Sequence, residues 1–586
     1  MVAAASKVQW QEWGAAAFAQ AEREGKPVLL AISAVWCHWC HVMDRGTYGD
    51  EQIAAYINAH YVAIRVDNDQ RPDINDRYNQ GGWPTTAFLT AEGEILSGAT
   101  YLPPEQMQQV LEQVYTYYSQ NREQLREQVA ALIAHQQEHL AQPGGKADAL
   151  LSAEMIAQVL NDAGQRYDAQ FGGWSGGGGT KFPHNETVAL VLSQFWHSGE
   201  QHWAAVLRKT LDGMADQGMY DHVEGGFFRY STDRQWRVPH FEKMGEDHAG
   251  LLHNYVAASL LLDPRYGTVA LDAIRYLDST LTDQQQGGFY GSQDADEEYY
   301  ALDQAGRSGL QAPYVDRRIY TAWSSALAAS YFFAAAALDR PQLAEFARKT
   351  IDRHLQELRT PDGAMYHNLS LAGLPLGTGL LDDQVSMGEG LLAAYSYTGV
   401  RSYLLAAREL ADWLAAHLYD AAGGGFYDRI DDEPMGRLRY RLKPLAENAR
   451  AADFLLRLYH LSGDERYSAL ALGSLRAFSE EYQSLGFFAA GYATAVEHAL
   501  SYPTHVVVVG PPQAAATRAL TLAALGSYHP WLLVQTLDPA DAADAELIAQ
   551  GGYPASEVPQ AYLCVGQTCS APIAEAVALR EALAKK

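Results

Sequence analysis

One repeated feature constrains this chain more than any other: a glycine turn followed by aromatic residues. It occurs as FGGW at Phe171, EGGFFRY at Glu224, QGGFYG at Gln286, DGAMYH at Asp362, GGGFYD at Gly423 and LGFF at Leu485. The marker glycines, Gly173, Gly226, Gly288, Gly363, Gly425 and Gly486, stand 53 to 75 residues apart. Self-similarity of this kind signals a repeat architecture. Between successive turns lie two alanine- and leucine-rich segments, such as LLDDQVSMGEGLLAAYSYTG and VRSYLLAARELADWLAAHLYD. Their apolar residues recur every three and four positions, the pattern of amphipathic helices. From Leu151 to Ser501 this predicts twelve helices, the first pairing with the short last one to close an all-α (α/α)6 toroid. The glycines permit the left-handed turn, and the aromatics cover it.

The topology carries a functional expectation. Each glycine turn leads into the N-terminus of an even-numbered helix, so six such N-termini gather at one rim. The segments placed there are KFPHNE (Lys181 to Glu186), WRVPHFEKMGED (Trp236 to Asp247), SQDADEE (Ser292 to Glu298), YTAWSS (Tyr320 to Ser325), LLDDQ (Leu380 to Gln384) and LAENAR (Leu445 to Arg450). A ring of carboxylates, histidines and tryptophans suits a sugar-like small molecule: aromatics stack on ring faces, and paired acids move protons or hold hydroxyls. The candidate catalytic groups here are His240, Glu242, Lys243, Asp294 and Asp296. The candidate ligand-binding residues are Trp236, Trp323, Asp382, Asp383 and His184. Each has a plainer reading. Asp382, Asp383 and Asn185 serve equally as helix N-caps, Asp294 and Asp296 as loop braces, the His240 to Lys243 cluster as a salt-bridge network, and both tryptophans as core.

The first 140 residues follow a different pattern. KPVLLAISA (Lys26 to Ala34) is a buried-strand run that ends at VWCHWCHVM (Val35 to Met43). A helical stretch, the β-branched run YVAIRVDND, a short helix in RPDINDRYN, a strand after the Trp-Pro of GGWPTTAFLT, a hairpin in GEILSGATYL and a long helix from Pro104 to about Leu140 complete the order. This is the thioredoxin-like α/β order with a CxxC after the first strand. A CxxC at a helix N-terminus stabilises a thiolate on its first cysteine. Cys37 is then the attacking thiol, Cys40 the resolving one, His38 an aid to the thiolate, and Pro84 the cis-proline opposite. Two alternatives stay open: a retained fold without turnover, and a metal site from Cys37, Cys40, His38 and His41. Adjacent side chains on one short segment project in different directions, which makes that metal site awkward. No metal or cofactor is expected.

Only four cysteines occur, as the local pairs Cys37/Cys40 and Cys564/Cys569. A secreted disulfide scaffold would need more. The second pair lies in a small α/β C-terminal region, where THVVVVGPP begins a strand but no GxGxxG or Walker pattern follows. A disulfide there, or a dithiol partner for Cys37/Cys40, is an alternative to the reading taken, inert and partly buried thiols. The division is a thioredoxin-like domain at 1–140, a linker at 141–150, the toroid at 151–501 and the appendage at 502–586. The net charge of −27 argues against nucleic acid or an anionic membrane as partner. With 48% hydrophobic residues, no bilayer-length apolar run and no basic-then-apolar leader, a cytoplasmic protein is expected. Its partners would be a thiol protein or a neutral small molecule.

The motifs WCHWCHVM, VDNDQRPDI, GGWPTTAFLT, ATYLPP, YDHVEGGFFRYSTDRQWRVPHFEKM, QDADEE and AYLCVGQTCSAP together resemble the YyaL-type family of spermatogenesis-associated thioredoxin-like proteins. The resemblance spans nearly the whole chain. It implies a thioredoxin-like domain fused to a toroid similar to sugar epimerases and six-hairpin glycosidases, and a fold more than a reaction. On it, Cys37 and Cys40 match the thioredoxin positions, and His240, Glu242, Lys243, Asp294, Asp296 and Trp323 match the toroid's signature blocks. The chain departs from the pattern at Trp323-Ser324, where the family reads Trp-Asn. It also lacks the serine of a DADSE-type block, has fewer residues before GGWP, and carries LAENA (Leu445 to Ala449) in place of Pro-Ser-Gly-Asn. These losses fall on the rim and put sugar chemistry, not the redox half, in doubt.

Overall fold

In the computed structural model, residues 6–140, 149–175 and 179–584 are described. All but the last two residues of the expected linker lie outside them. The chain divides into two units: Met1–Gly144 with Asp294–Asp296 and Asp428–Leu442, and the remainder.

The first unit runs α1 (Ala15–Glu24), β1 (Val28–Ser33), α2 (His38–Gly46), α3 (Glu51–His60), β2 (Val62–Asp67), α4 (Pro72–Tyr78), β3 (Thr85–Leu89), β4 (Ile95–Ala99) and α5 (Pro104–Leu140). Its sheet has the order β2-β1-β3-β4, with β1 parallel to β2 and antiparallel to β3. Strand β1 is buried along almost its whole length because both faces are covered, so it reads as a continuous apolar run. Its alternate residues serve two cores. Val28, Leu30 and Ile32 pack with Val62, Ile64 and Tyr78 on one face; Leu29 and Ala31 pack with Met43, Ile57 and Phe88 on the other. The stretch after the CxxC is two helices rather than one: Asp50 ends the run by capping α3, accepting from the Gln52 and Ile53 amides.

The later segments are built into this unit. Leu438 is fully buried in its first core. The Arg77 guanidinium donates to both Asp428 carboxylate oxygens at 2.7 and 3.2 Å and to the Tyr440 carbonyl at 2.7 Å.

In the second unit the long helices are α6 (Ala153–Arg166), α7 (Asn185–Ser198), α8 (Gln201–Asp216), α9 (Gly245–Leu261) and α10 (Arg265–Thr280). After short α11 (Glu297–Tyr300) and α12 (Gln304–Arg307) come α13 (Thr321–Ala337), α14 (Pro341–Glu357), α15 (Leu381–Thr398), α16 (Arg401–His417), α17 (Leu445–Ser462), α18 (Glu465–Ala477), one-turn α19 (Tyr482–Leu485) and α20 (Ala490–Leu500). Among the described residues, helices α7, α9, α13, α15, α17 and α20 each pack on the next, and α20 packs back on α7. Helices α8, α10, α14, α16 and α18 lie behind their inner partners, and α6 lies behind α20. This is the (α/α)6 toroid, closed by its first and last helices. Inner helices such as α13 (TAWSSALAASYFFAAAA) are apolar nearly all round, and their alanines let neighbours approach on both sides.

Short strands decorate the rim. β5 (Tyr230–Ser231) pairs with β6 (Pro239–His240); β7 (Lys243–Met244), β8 (Ser292–Gln293) and β9 (Val315–Asp316) form one sheet; β10 (Ile319–Tyr320), β11 (Tyr366–Leu369) and β12 (Pro375–Thr378) form another. The C-terminal region is a sheet of order β14-β13-β15-β16, from β13 (Thr504–Val509), β14 (Leu532–Leu537), β15 (Gln560–Val565) and β16 (Thr568–Cys569). Three helices accompany it: α21 (Ala515–Leu525), α22 (Ala542–Gln550) and α23 (Ala576–Ala584). Within this unit α21 and β14 pack on inner helices α13, α15 and α17.

Four of the six glycine turns share one bonding scheme. The Gly172, Gly225, Gly287 and Gly424 amides each donate to the carbonyl of an aspartate four residues earlier, Asp168, Asp221, Asp283 or Asp420. A cation then ties the carboxylate to the glycine carbonyl: Lys181, Lys243, Arg353 and Lys443 in turn. A side chain from the first turn of the following inner helix completes four of the turns. His248, Ser324, Gln384 and Asn448 accept the amides of Phe227, Phe289, Met365 and Phe426.

Candidate functional site

The CxxC motif sits where β1 hands over to α2. Cys37 is the N-cap of α2 and is joined to Cys40 in a disulfide. Its Sγ accepts the Cys40 amide N–H at 3.1 Å, an amide that also donates to the Cys37 carbonyl at 3.0 Å, so the sulfur sits at the N-terminal end of the helix with one backbone N–H on it. The Trp83–Pro84 peptide is cis, and Pro84 leads directly into β3 beside β1. The Trp36 and Trp83 rings meet edge to face at 5.5 Å, and Trp36 Nε1 donates to buried Asp69 at 2.8 Å. Both cysteines are nearly enclosed, Cys37 being 4% exposed, whereas Trp39 between them is 47% exposed. His38 is half-buried, its ring edge-on to Trp39.

His41, one turn beyond Cys37 on α2, has a more specific environment. Its Nε2–H is shared between the Val35 carbonyl at 3.1 Å and the Asp294 carboxylate at 3.0 Å. Two acceptors on one ring nitrogen place the proton there. The Asp294 hydrogen bond and charge raise the imidazole above its ordinary value, against the opposing effect of burial.

The toroid encloses a cavity of about 760 Å³. The inner-helix N-termini line it, as do the α21–β14 connection and the helices' C-terminal halves; Trp196, near the end of α7, packs on His529 at 4.1 Å. One wall is ionic. Arg450 donates to Asp382 at 2.6 Å, to Ser386 at 2.7 Å and to Glu389 at 2.6 Å. Deeper, Asp453 accepts from Arg457 at 2.8 Å and from His498 Nδ1–H, and the His498 ring lies flat on Trp531 at 4.0 Å. The opposite wall carries Glu186, Glu246, Asp247 and His253. Asp247 Oδ2 is buried without a hydrogen-bond partner. Burial pushes this carboxyl up to about 8; Arg229 opposes the shift, and Glu246, Glu242 and Glu186 add to it.

The expected site residues scatter when placed in space. Cys37, Cys40, His38 and Pro84 share one end of the thioredoxin-like sheet. His184, Trp323 and Asp382 line the cavity, whereas Asp383 is buried and accepts from His367 at 2.9 Å. Trp236 is fully buried against Gly173 and Gly213, so it is core and not a ligand platform. Lys243 is also fully buried, donating to Asp221 at 2.8 Å and Gly225 at 2.7 Å. That makes it the second copy of the repeated turn brace, and no reacting group of the cavity. His240 and Glu242 hydrogen-bond each other away from the cavity lining, with Glu242 buried. Asp294 and Asp296 belong to the first unit rather than to the toroid wall.

Sequence reasoning missed Glu389, Asp453, Arg457, His253 and His498, which lie one to three turns inside the inner helices. Their signal was present as polar residues at helical spacing on otherwise apolar helices: 382, 386 and 389 on α15, and 450, 453 and 457 on α17. The second cysteine pair also differs from expectation. Cys564 and Cys569 are disulfide-bonded, because the β15–β16 register sets them directly opposite.

A thioredoxin-like domain with an N-capped CxxC disulfide, joined to an (α/α)6 toroid around a polar cavity, defines the class of this protein. Residues 1–137 match the family model Thioredox_DsbH, described as a protein of unknown function, DUF255. Spermatogenesis-associated protein 20 of Homo sapiens is 26% identical, with 98% of this chain and 90% of that protein covered. Thiol:disulfide interchange protein DsbD 1 of Pseudomonas aeruginosa is 37% identical over 83 residues, 14% of each chain. Among solved structures, cellobiose 2-epimerase of Spirochaeta thermophila DSM 6192 aligns with a TM-score of 0.47 at 15% identity, over 60% of this chain and 94% of that one. The resemblance expected from the motifs is therefore to proteins that the chain does match along nearly its full length.

Proposed function

We propose that this chain performs thiol–disulfide exchange through Cys37 and Cys40 on a thiol protein client. The observation that carries the reading is the Cys37 Sγ at the α2 N-cap, receiving the Cys40 amide at 3.1 Å. An amide and a helix N-terminus aimed at sulfur favour the thiolate, the form that attacks. In the reduced protein the Cys37 thiolate attacks a client disulfide and expels one client thiolate. The Cys40 thiolate then attacks Cys37 Sγ, the mixed disulfide breaks, and the second client thiolate leaves. Two electrons pass to the client and the Cys37–Cys40 bond re-forms. The match to DsbD 1, whose name states that chemistry, supports the reading. In the C40S variant the client is expected to stay trapped on Cys37. A reduced protein that neither traps a client nor reacts with any disulfide at neutral pH overturns it.

The cavity supports a second reading for the toroid: binding of a sugar-like molecule. Trp323 offers an aromatic face, while Asp382, Glu389 and Arg450 offer hydroxyl partners on one wall. Calorimetric titration with neutral mono- and disaccharides is expected to give binding that W323A weakens. No heat from any of them removes this reading and leaves the first untouched.

A further inference from the structure

A row of three residues crosses the C-terminal sheet from its edge inward. Cys569 on edge strand β16 faces Cys564 on β15, and Cys564 faces His505 on β13. The two ends of the disulfide differ. Cys569 and the turn Val565 to Thr568 are exposed, whereas Cys564 is 5% exposed. The Tyr553 hydroxyl lies 3.8 Å from Cys564 Sγ, and the Tyr553 and Tyr562 rings pack at 4.7 Å. His505 Nε2 is buried with no hydrogen-bond partner. The bond spans a sequence separation of five, and so short a loop gains least from cross-linking in the chain-entropy account. A reachable sulfur on one side and a sheltered, hydrogen-bonded sulfur on the other gives exchange a direction, because attack favours the accessible sulfur and the other is the one that leaves.

We propose that Cys564–Cys569 is a second thiol–disulfide exchange centre, opened by an external dithiol at Cys569. The dithiol's first thiolate bonds to Cys569 Sγ. The Cys564–Cys569 bond breaks, and its electron pair goes to Cys564 Sγ, where the Tyr553 O–H donates to the new thiolate. The dithiol's second thiolate then attacks its own first sulfur and expels the Cys569 thiolate. The dithiol ends as a disulfide, the pair has gained two electrons, and water protonates both thiolates. The reductant is external, so the inference stands whether or not Cys37 and Cys40 turn over.

The test uses the full-length chain carrying C37S and C40S, so that only the second pair reports. The protein is exposed to dithiothreitol under native conditions, quenched with acid, alkylated and read by mass spectrometry, with circular dichroism following the fold. The expected result is opening of the pair in the folded protein, several-fold slower in Y553F. With oxidised glutathione as the probe, added C564S is expected to take a glutathione adduct on Cys569, releasing one glutathione thiolate, faster than added C569S takes one on Cys564. A pair that opens only as the fold melts, a Y553F rate equal to the parent's, or equal adduct rates overturns the proposal. Should the serine variants fail to fold, the Y553F comparison on the intact pair decides alone.

Discussion

At the residue scale the informative positions are those whose protonation the fold has moved. His41 and Asp294 are 253 residues apart and hydrogen-bonded at 3.0 Å. The unfolded imidazole titrates near an ordinary pKa of about 6.5. The folded one titrates higher, so the pair's stabilisation is complete below the unfolded value and lost as pH rises through the folded one. Asp44, on the same helix, adds to that rise. D294N is expected to lower the His41 midpoint measured by NMR of its ring protons, and to flatten that part of the stability profile. An unmoved midpoint would sever the pair. Asp247 behaves with the same sign. Its folded carboxyl is held protonated to about 8, whereas an unfolded aspartate releases its proton near a pKa of about 3.9. Stability at this site therefore declines as pH rises between those values, and D247N is expected to remove that slope in denaturant titrations across the range.

At the element scale the glycine turns separate strain from collision. Gly226 has φ 79°, and a Cβ there would meet the Tyr276 ring at 2.4 Å; Gly363 has φ 97°, with only an Arg359 tip atom at 3.7 Å. G363A is expected to cost only the backbone term, on the order of 1 kcal/mol. G226A adds overpacking and is expected to cost about 2–4 kcal/mol. Urea denaturation of both variants checks the order, and equal losses would refute it. The same turns show how far the repeat was legible. The glycine and aromatic pattern marks every turn because a positive φ and a covered rim are local demands. The brace of Asp221 by Lys243 was not legible as architecture, because 22 residues separate the partners and an ionisable cluster reads equally well as chemistry. Ser324, where the chain departs from the pattern it otherwise resembles, accepts a turn amide as Asn448 does in the next-but-one turn, so that departure falls on architecture.

At the scale of the whole molecule, the thioredoxin-like unit is not one stretch of chain. It includes Asp428–Leu442, with Leu438 fully buried and the Arg77–Asp428 ion pair almost wholly enclosed. A fragment of residues 1–140 would lose that leucine and leave Arg77 without its carboxylate. Burying a leucine and satisfying an enclosed charge are each worth roughly 2–5 kcal/mol, a large share of a domain's stability. The fragment is expected to melt well below the same unit in the full chain, or to aggregate; an equal melting temperature by circular dichroism would refute this. The sequence by itself determined the helix period, the glycine turns, the order of elements around the CxxC and the six-fold repeat of helix pairs, because each is written in local spacing and backbone preference. Only the tertiary structure decided which polar residues meet. It sent Asp294 to His41, put Lys243 and Trp236 in the core, and gathered Asp247, Asp382, Arg450 and His498 around one cavity. Burial and pairing between distant residues depend on how helices pack, and spacing along a chain does not encode that.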